Sequence, residues 1–185
     1  EGEFDLAGTI VGVVDKSELL TGDKVSTGDV VIGFESSGLH THGYSLARKV
    51  LFSEFDVNDT PDGFDKTIGE ELLTVHKSYL KLITSLKKIE GVKGFSHITG
   101  GGLISNTKRV LPDGADLEID WDSWERPEIF KLIQKTGNVP EEDMRRTFNL
   151  GIGLAAIVSP DAINEVEKAA GESGETFTQQ IGRIV

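Results

Sequence analysis

The stretch DVVIGFESSGLHTHGYSLARKVL, residues 29–51, decides how the rest of the chain is read. Its first six residues are mostly apolar and β-branched, the composition of a buried strand. ESSGLHTHG, residues 35–43, is rich in glycine and hydroxyls and reads as a loop. From Tyr44 onward Leu46, Val50 and Leu51 fall on one helical stripe, which predicts a helix over 44–52. Strand, polar loop and covering helix are the pieces of a layered α/β sheet.

Working outward, the same order returns. A short strand over 94–98 runs into Thr99-Gly100-Gly101-Gly102 and a helix over 103–110, stopped by Pro112. Strands are also expected over 116–119, 151–158 and 179–185, and helices over 127–135 and 160–170. Leu72, Val75, Tyr79, Leu82, Ile83 and Leu86 recur at helical spacing and predict one long amphipathic helix over 69–88. The run FDLAGTIVGVV, residues 4–14, reads as a strand followed by a connector. The expected fold is α/β (α+β), a layered mixed β-sheet flanked by helices. No internal repeat is visible.

A chain of 185 residues accommodates about one domain with an ordinary core. The longest apolar run, 154–158, is far below the ~20 residues of a spanning helix, so no membrane segment is expected, and no signal peptide is readable. Nineteen Lys and Arg against 31 Asp and Glu give a net charge of −12, which repels a polyphosphate backbone and argues against a nucleic-acid partner. The absence of cysteine excludes disulfides, thiolate metal sites and a cysteine nucleophile, and suits a reducing, cytoplasmic setting. The chain opens at Glu1 and is expected to be part of something longer.

Three segments stand out as candidate sites among 22 glycines. In the first, Ser36, Ser37, Gly38, His40 and Gly43 sit between strand and helix, where close backbone approach and free N–H groups suit an anion. The bland alternative is a helix cap and turn. His40 and His42 also have the spacing of a metal pair, but with no cysteine and no third imidazole close in sequence no metal is expected there. The second segment holds His97, Thr99, Gly100, Gly101 and Gly102; it lacks the Gly-Lys-Ser/Thr of a Walker loop, and tight helix packing is its alternative. The third, with Thr147 and Asn149, runs from polar residues into an apolar strand, its alternative being an Asx-turn. Trp121 and Trp124 read as packing residues.

In the order SSGLHTHGYSLARK, HITGGG and RTFNLGIG, these segments resemble the C-terminal half of the phosphoribosylformylglycinamidine cyclo-ligases, also called aminoimidazole ribonucleotide synthetases. The opening EFDLAGTIVGVV is similar to the stretch that joins the two domains of that family, so the resemblance covers essentially all of the chain. It implies a domain over 16–185, with residues 1–15 a strand and linker belonging to an N-terminal ATP-binding domain. Residues 4–14 are then expected to lie exposed, pair with a second copy or attach at a sheet edge.

The resemblance further implies the reaction. ATP phosphorylates the formamide oxygen of formylglycinamidine ribonucleotide, and the amidine nitrogen closes the imidazole ring to give aminoimidazole ribonucleotide, ADP and phosphate. ATP and Mg2+ would be bound mainly by the N-terminal domain, which also makes a homodimer. Ser36, Ser37, Gly38, His40 and Gly43 match the family's phosphate-binding-type loop, His97 and Thr99 to Gly102 its second loop, and Thr147 to Asn149 its third segment. Two positions depart from the pattern: Thr41 stands where serine is common, and His42 replaces the usual asparagine. No catalytic base is assignable from this half, which is expected to be inactive alone. The competing expectations are a non-catalytic ligand-binding or assembly module of the same fold, and a related selenophosphate or thiamine-phosphate enzyme.

Overall fold

In the computed structural model, which describes residues 7–185, β1 (Val30–Glu35) lies at the centre of a five-stranded sheet of order β2-β4-β1-β5-β3. The other strands are β2 (Val92–His97), β3 (Leu117–Ile119), β4 (Ile152–Val158) and β5 (Thr178–Ile184). Every residue of β4 is buried, which explains its uninterrupted apolar run: a strand covered on both faces has no polar side to show.

The layered α/β architecture agrees with the sequence, but the expected mixture of parallel and antiparallel pairs is corrected. All four pairings are antiparallel. The alternation of strands and helices registers crossovers, not neighbours. Helical connections lead from β1 to β2 and from β4 to β5, and each pair is parallel, yet β4 is inserted between the first two and β1 between the second two.

Alternation along the central strands sorts side chains to two faces. Val30, Ile32 and Phe34 join Leu154, Ala156 and Val158 beneath α3 (Leu80–Leu86) and α7 (Ile163–Ser173), which contribute Leu82, Leu86, Val166 and Ala170. Val31, Ala155, Ile157 and Ile181 face the other way, toward Ile98 and toward Leu103 of α4 (Gly102–Lys108). A third apolar cluster is built from helices. Val50 and Leu51 of α1 (Tyr44–Leu51) and Ile68 and Leu72 of α2 (Ile68–Leu72) meet Phe130 and Ile133 of α5 (Glu128–Gly137) and Met144 of α6 (Glu141–Thr147). Each such fully buried side chain contributes on the order of 1.5–3 kcal/mol.

Three expectations differ from the structure. The single long helix over 69–88 is two short ones, α2 and α3, separated by an irregular segment over 73–79. Val75, counted on the apolar stripe, is 82% exposed. The segment is held instead by Ser37, whose hydroxyl donates to the Val75 carbonyl (2.7 Å) and accepts from the Lys77 N–H (3.1 Å). Helix α6 is additional; its sequence carries only one buried apolar residue, Met144, although Glu141, Glu142 and Asp143 in the first turn and Arg145 and Arg146 in the last match the helix dipole. Of the strand expected over 4–14, residues 4–6 lie outside the described residues, and residues 7–14 form no strand and are exposed. None of the described helices is long and apolar enough to cross a membrane.

Candidate functional site

Because β4 runs antiparallel between β1 and β2, its start lies at the same end of the sheet as their two ends. All three sequence segments therefore converge. The Ser36 N–H donates to the Gly151 carbonyl (2.8 Å) and the Ile98 N–H to the Gly153 carbonyl (2.9 Å), so both loops leave the sheet flanking the beginning of β4. The segment over 73–79 crosses the same end, where the Tyr79 hydroxyl donates to the Glu35 carbonyl (2.7 Å). Gly153 makes this approach possible, since a Cβ there would collide with the Tyr79 hydroxyl and the His40 ring.

The first loop is tied down by Asn149, which is buried. Its Oδ1 accepts from the Ser36 hydroxyl (2.9 Å) and the Gly151 N–H (2.8 Å), and its Nδ2 donates to the Gly38 carbonyl (2.8 Å). Asn149 thus joins the 36–38 loop to the start of β4. Ser37 is likewise engaged with the 73–79 segment. Gly43 precedes α1 and packs on the Phe148 ring, and Thr147 ends α6.

The second loop is organised by a residue that the sequence does not single out. Asn106, buried on α4, donates through Nδ2 to the carbonyls of Gly102 (2.8 Å), Thr99 (3.2 Å) and Gly100 (3.3 Å), and its Oδ1 accepts from the Thr99 hydroxyl (3.0 Å). In a trans peptide C=O and N–H point in opposite directions. Holding the Thr99 and Gly100 carbonyls on Asn106 therefore turns the N–H groups of Gly100 and Gly101 outward, a pair of donors of the kind that binds anions. The three glycines divide the work. A Cβ on Gly102, whose φ is +68°, would fall on the Arg145 carbonyl oxygen, so this position serves the packing of α4 against α6. A Cβ on Gly100 would meet only His42 Nδ1 at 3.7 Å, so this position faces the opening.

All four histidines of the chain gather here. His40, with φ of +57°, is 3% exposed and stacks on His76 with centroids 3.8 Å apart. The Ser37 N–H donates to His40 Nε2 (3.1 Å), which makes the neutral ring the Nδ1–H tautomer, and Nδ1 is buried without a partner. His76 Nε2 and His97 Nε2 are 3.1 Å apart. Burial, ahead of repulsion from His76 and His97, lowers His40 to about 4. Burial comes first also for His76 and His97, which are lowered further by the neighbouring imidazoles. His40, His76 and His97 are therefore neutral at pH 7. Its nearest ammonium, Lys77, is engaged by Glu175 (2.7 Å) and Glu35 (3.3 Å).

His76 was absent from the sequence candidates because the helical stripe placed its segment in a helix. Only the histidine count pointed to it. Donors here are imidazole, hydroxyl and amide, while the adjacent carboxylate, Glu35, is taken by Lys77 and the Thr176 hydroxyl (3.0 Å). Such a set does not fit Mg2+, which prefers carboxylate and phosphate oxygens.

The sequence belongs to a known class of domain. Residues 26–185 match the family described as "AIR synthase related protein, C-terminal domain", and the chain belongs to that family. Among curated relatives, it is 48% identical over 179 residues to the phosphoribosylformylglycinamidine cyclo-ligase of Sorangium cellulosum, covering 95% of this chain and 51% of that protein. It is 45% identical to the enzyme of the same name from Pseudothermotoga lettingae, covering all of this chain and 54% of the relative. The chloroplastic cyclo-ligase of Arabidopsis thaliana is 42% identical, with 48% of its length matched. The chain thus spans about half the length of the curated relatives it matches, and corresponds to their C-terminal part. Solved structures share the fold. Thiamine-monophosphate kinase from Stenotrophomonas maltophilia superposes with a TM-score of 0.60 at 15% identity, covering 93% of this chain and 52% of that one. E. coli HypE, a hydrogenase maturation protein, gives 0.57 at 20% identity over 89% of this chain and 46% of that one.

Proposed function

We propose that the chain acts as the C-terminal domain of an ATP-dependent cyclo-ligase of purine biosynthesis, closing the ring of formylglycinamidine ribonucleotide to give aminoimidazole ribonucleotide, ADP and phosphate. The observation that carries this reading is the convergence of the 36–43 and 99–102 loops at one end of the sheet, in a chain 42–48% identical to cyclo-ligases over about half of their length. In this role the outward N–H groups of Gly100 and Gly101 hold a phosphate-type anion of the nucleotide substrate, and neutral His97 offers an N–H donor beside them. Ser36, Ser37, Gly38, His40 and Asn149 fix the facing wall, and Thr99 keeps the glycine loop in shape. ATP and Mg2+ are held mainly by an N-terminal domain in cis, consistent with the misfit of this donor set to Mg2+. Residues 1–15 form the link to that domain, the complete protein works as a homodimer, and its setting is cytoplasmic.

The substitution Gly100→Val tests the cradle. Its side chain enters the opening without a positive-φ penalty, whereas Gly101, at φ +102°, would be strained by any Cβ. Calorimetry with inorganic phosphate and with the ribonucleotide is expected to show binding to the parent chain and at least about tenfold weaker binding to the variant. Equal affinity in both proteins would remove the cradle from the account.

A further inference from the structure

We propose that His76 and His97, joined by His40, form a binding site for a divalent transition-metal cation of the zinc class at this end of the sheet. The three residues each bring one ring nitrogen to within 4.8 Å of the others. His76 Nε2 and His97 Nε2, 3.1 Å apart, already approach the roughly 3.3 Å separation that two imidazoles adopt when each lies about 2.05 Å from a tetrahedral ion. Imidazole is the ligand class favoured by Zn2+, Cu2+ and Ni2+ and not by Mg2+ or Ca2+, so the donor set itself selects the metal.

The supports of the ligands differ in stiffness. His97 ends strand β2, which is paired to β4 along its length. His76 sits on the irregular segment between α2 and α3. As they stand, the stacked rings of His40 and His76, inclined by 18°, cannot both hold one ion in their planes. Closing the site therefore turns one of the two rings out of the stack, and any movement of the His40 ring is felt at its bond from the Ser37 N–H. Metal binding is in this way coupled to the shape of the 36–43 loop. Water completes the coordination of an ion held by three imidazoles.

The inference stands apart from the proposed reaction, because it is read with the metal alone. The chelator-treated chain is titrated with Co2+ followed by visible absorption, then with Zn2+ by calorimetry and by displacement of Co2+. The expected result is one ion per chain, cobalt bands characteristic of low-coordinate imidazole ligation, and affinity lowered more than about tenfold in both His76→Gln and His97→Gln. Far-UV circular dichroism establishes that the variants are folded; His76 is only half-buried and His97 exposed, so neither supports the core. Failure of micromolar Zn2+ or Co2+ to bind the parent chain, or unchanged affinity in folded His76→Gln, overturns the site.

Discussion

Replacing Asn106 by aspartate alters little in size but reverses the chemistry that shapes the glycine loop. Two N–H donors become an acceptor oxygen facing the carbonyls of Thr99, Gly100 and Gly102 at 2.8–3.3 Å. Two donors cannot satisfy three carbonyls fully, and the Gly102 carbonyl lies within the first turn of α4, where the helix supplies a partner of its own. The loss therefore amounts to about two hydrogen bonds at roughly 1 kcal/mol each, plus repulsion between a buried carboxylate and the Thr99 and Gly100 carbonyls. Asn106→Asp is expected to lower unfolding stability by about 2–4 kcal/mol at pH 7, measured in urea at constant m-value. The released loop is expected to lose phosphate binding in the same preparation. A stability within about 0.5 kcal/mol of the parent, or retained phosphate binding, would refute the idea that Asn106 sets the direction of the Gly100 and Gly101 N–H groups.

Other consequences can be read in the same way. Gly102→Ala places a methyl on the Arg145 carbonyl at a φ of +68° and should cost about 2 kcal/mol or more, seen as a fall in calorimetric Tm of several degrees. Asn149→Ala removes links to Ser36, Gly38 and Gly151, and a loss of about 2–3 kcal/mol is expected in denaturant titration. His40 is about 4 when folded against 6.5 when unfolded, so between those values the unfolded chain binds more protons. Stability contributed by neutral His40 is thus fully present above pH 6.5 and is lost as pH falls toward 4, to an extent of about 3 kcal/mol. In chelator-treated samples His40→Asn, which tolerates positive φ, should flatten that part of the stability–pH curve; an unchanged slope would show that His40 is not held neutral.

Much of the fold was legible because the periodic signals were local. The apolar runs around Val31 and Ile157 and the stripe of Leu46, Val50 and Leu51 each mark a face that a neighbouring layer must cover. The broken helix over 69–88 shows tertiary contacts outweighing local pattern. Val75 continues a helical stripe, yet Ser37 captures the backbone on either side of His76 and the helix breaks. The strand order was hidden because insertion of β4 between β1 and β2 leaves no mark in the crossover sequence. At the site, the glycine and histidine loops announced themselves, while Asn106 looked like any polar residue on a short helix. The packing reading of TGGG applies to Gly102, where a Cβ would fall on the Arg145 carbonyl, whereas Gly100 has open space around it.

The proposed ring closure is tested most directly by supplying the chain with an N-terminal half. The chain is mixed with ATP, Mg2+ and formylglycinamidine ribonucleotide, once alone and once fused behind the N-terminal half of a full-length relative such as the Sorangium cellulosum cyclo-ligase, and aminoimidazole ribonucleotide is measured. No product from the chain alone and clear turnover by the fusion is the predicted result; turnover by the chain alone, or a folded fusion with none, contradicts it.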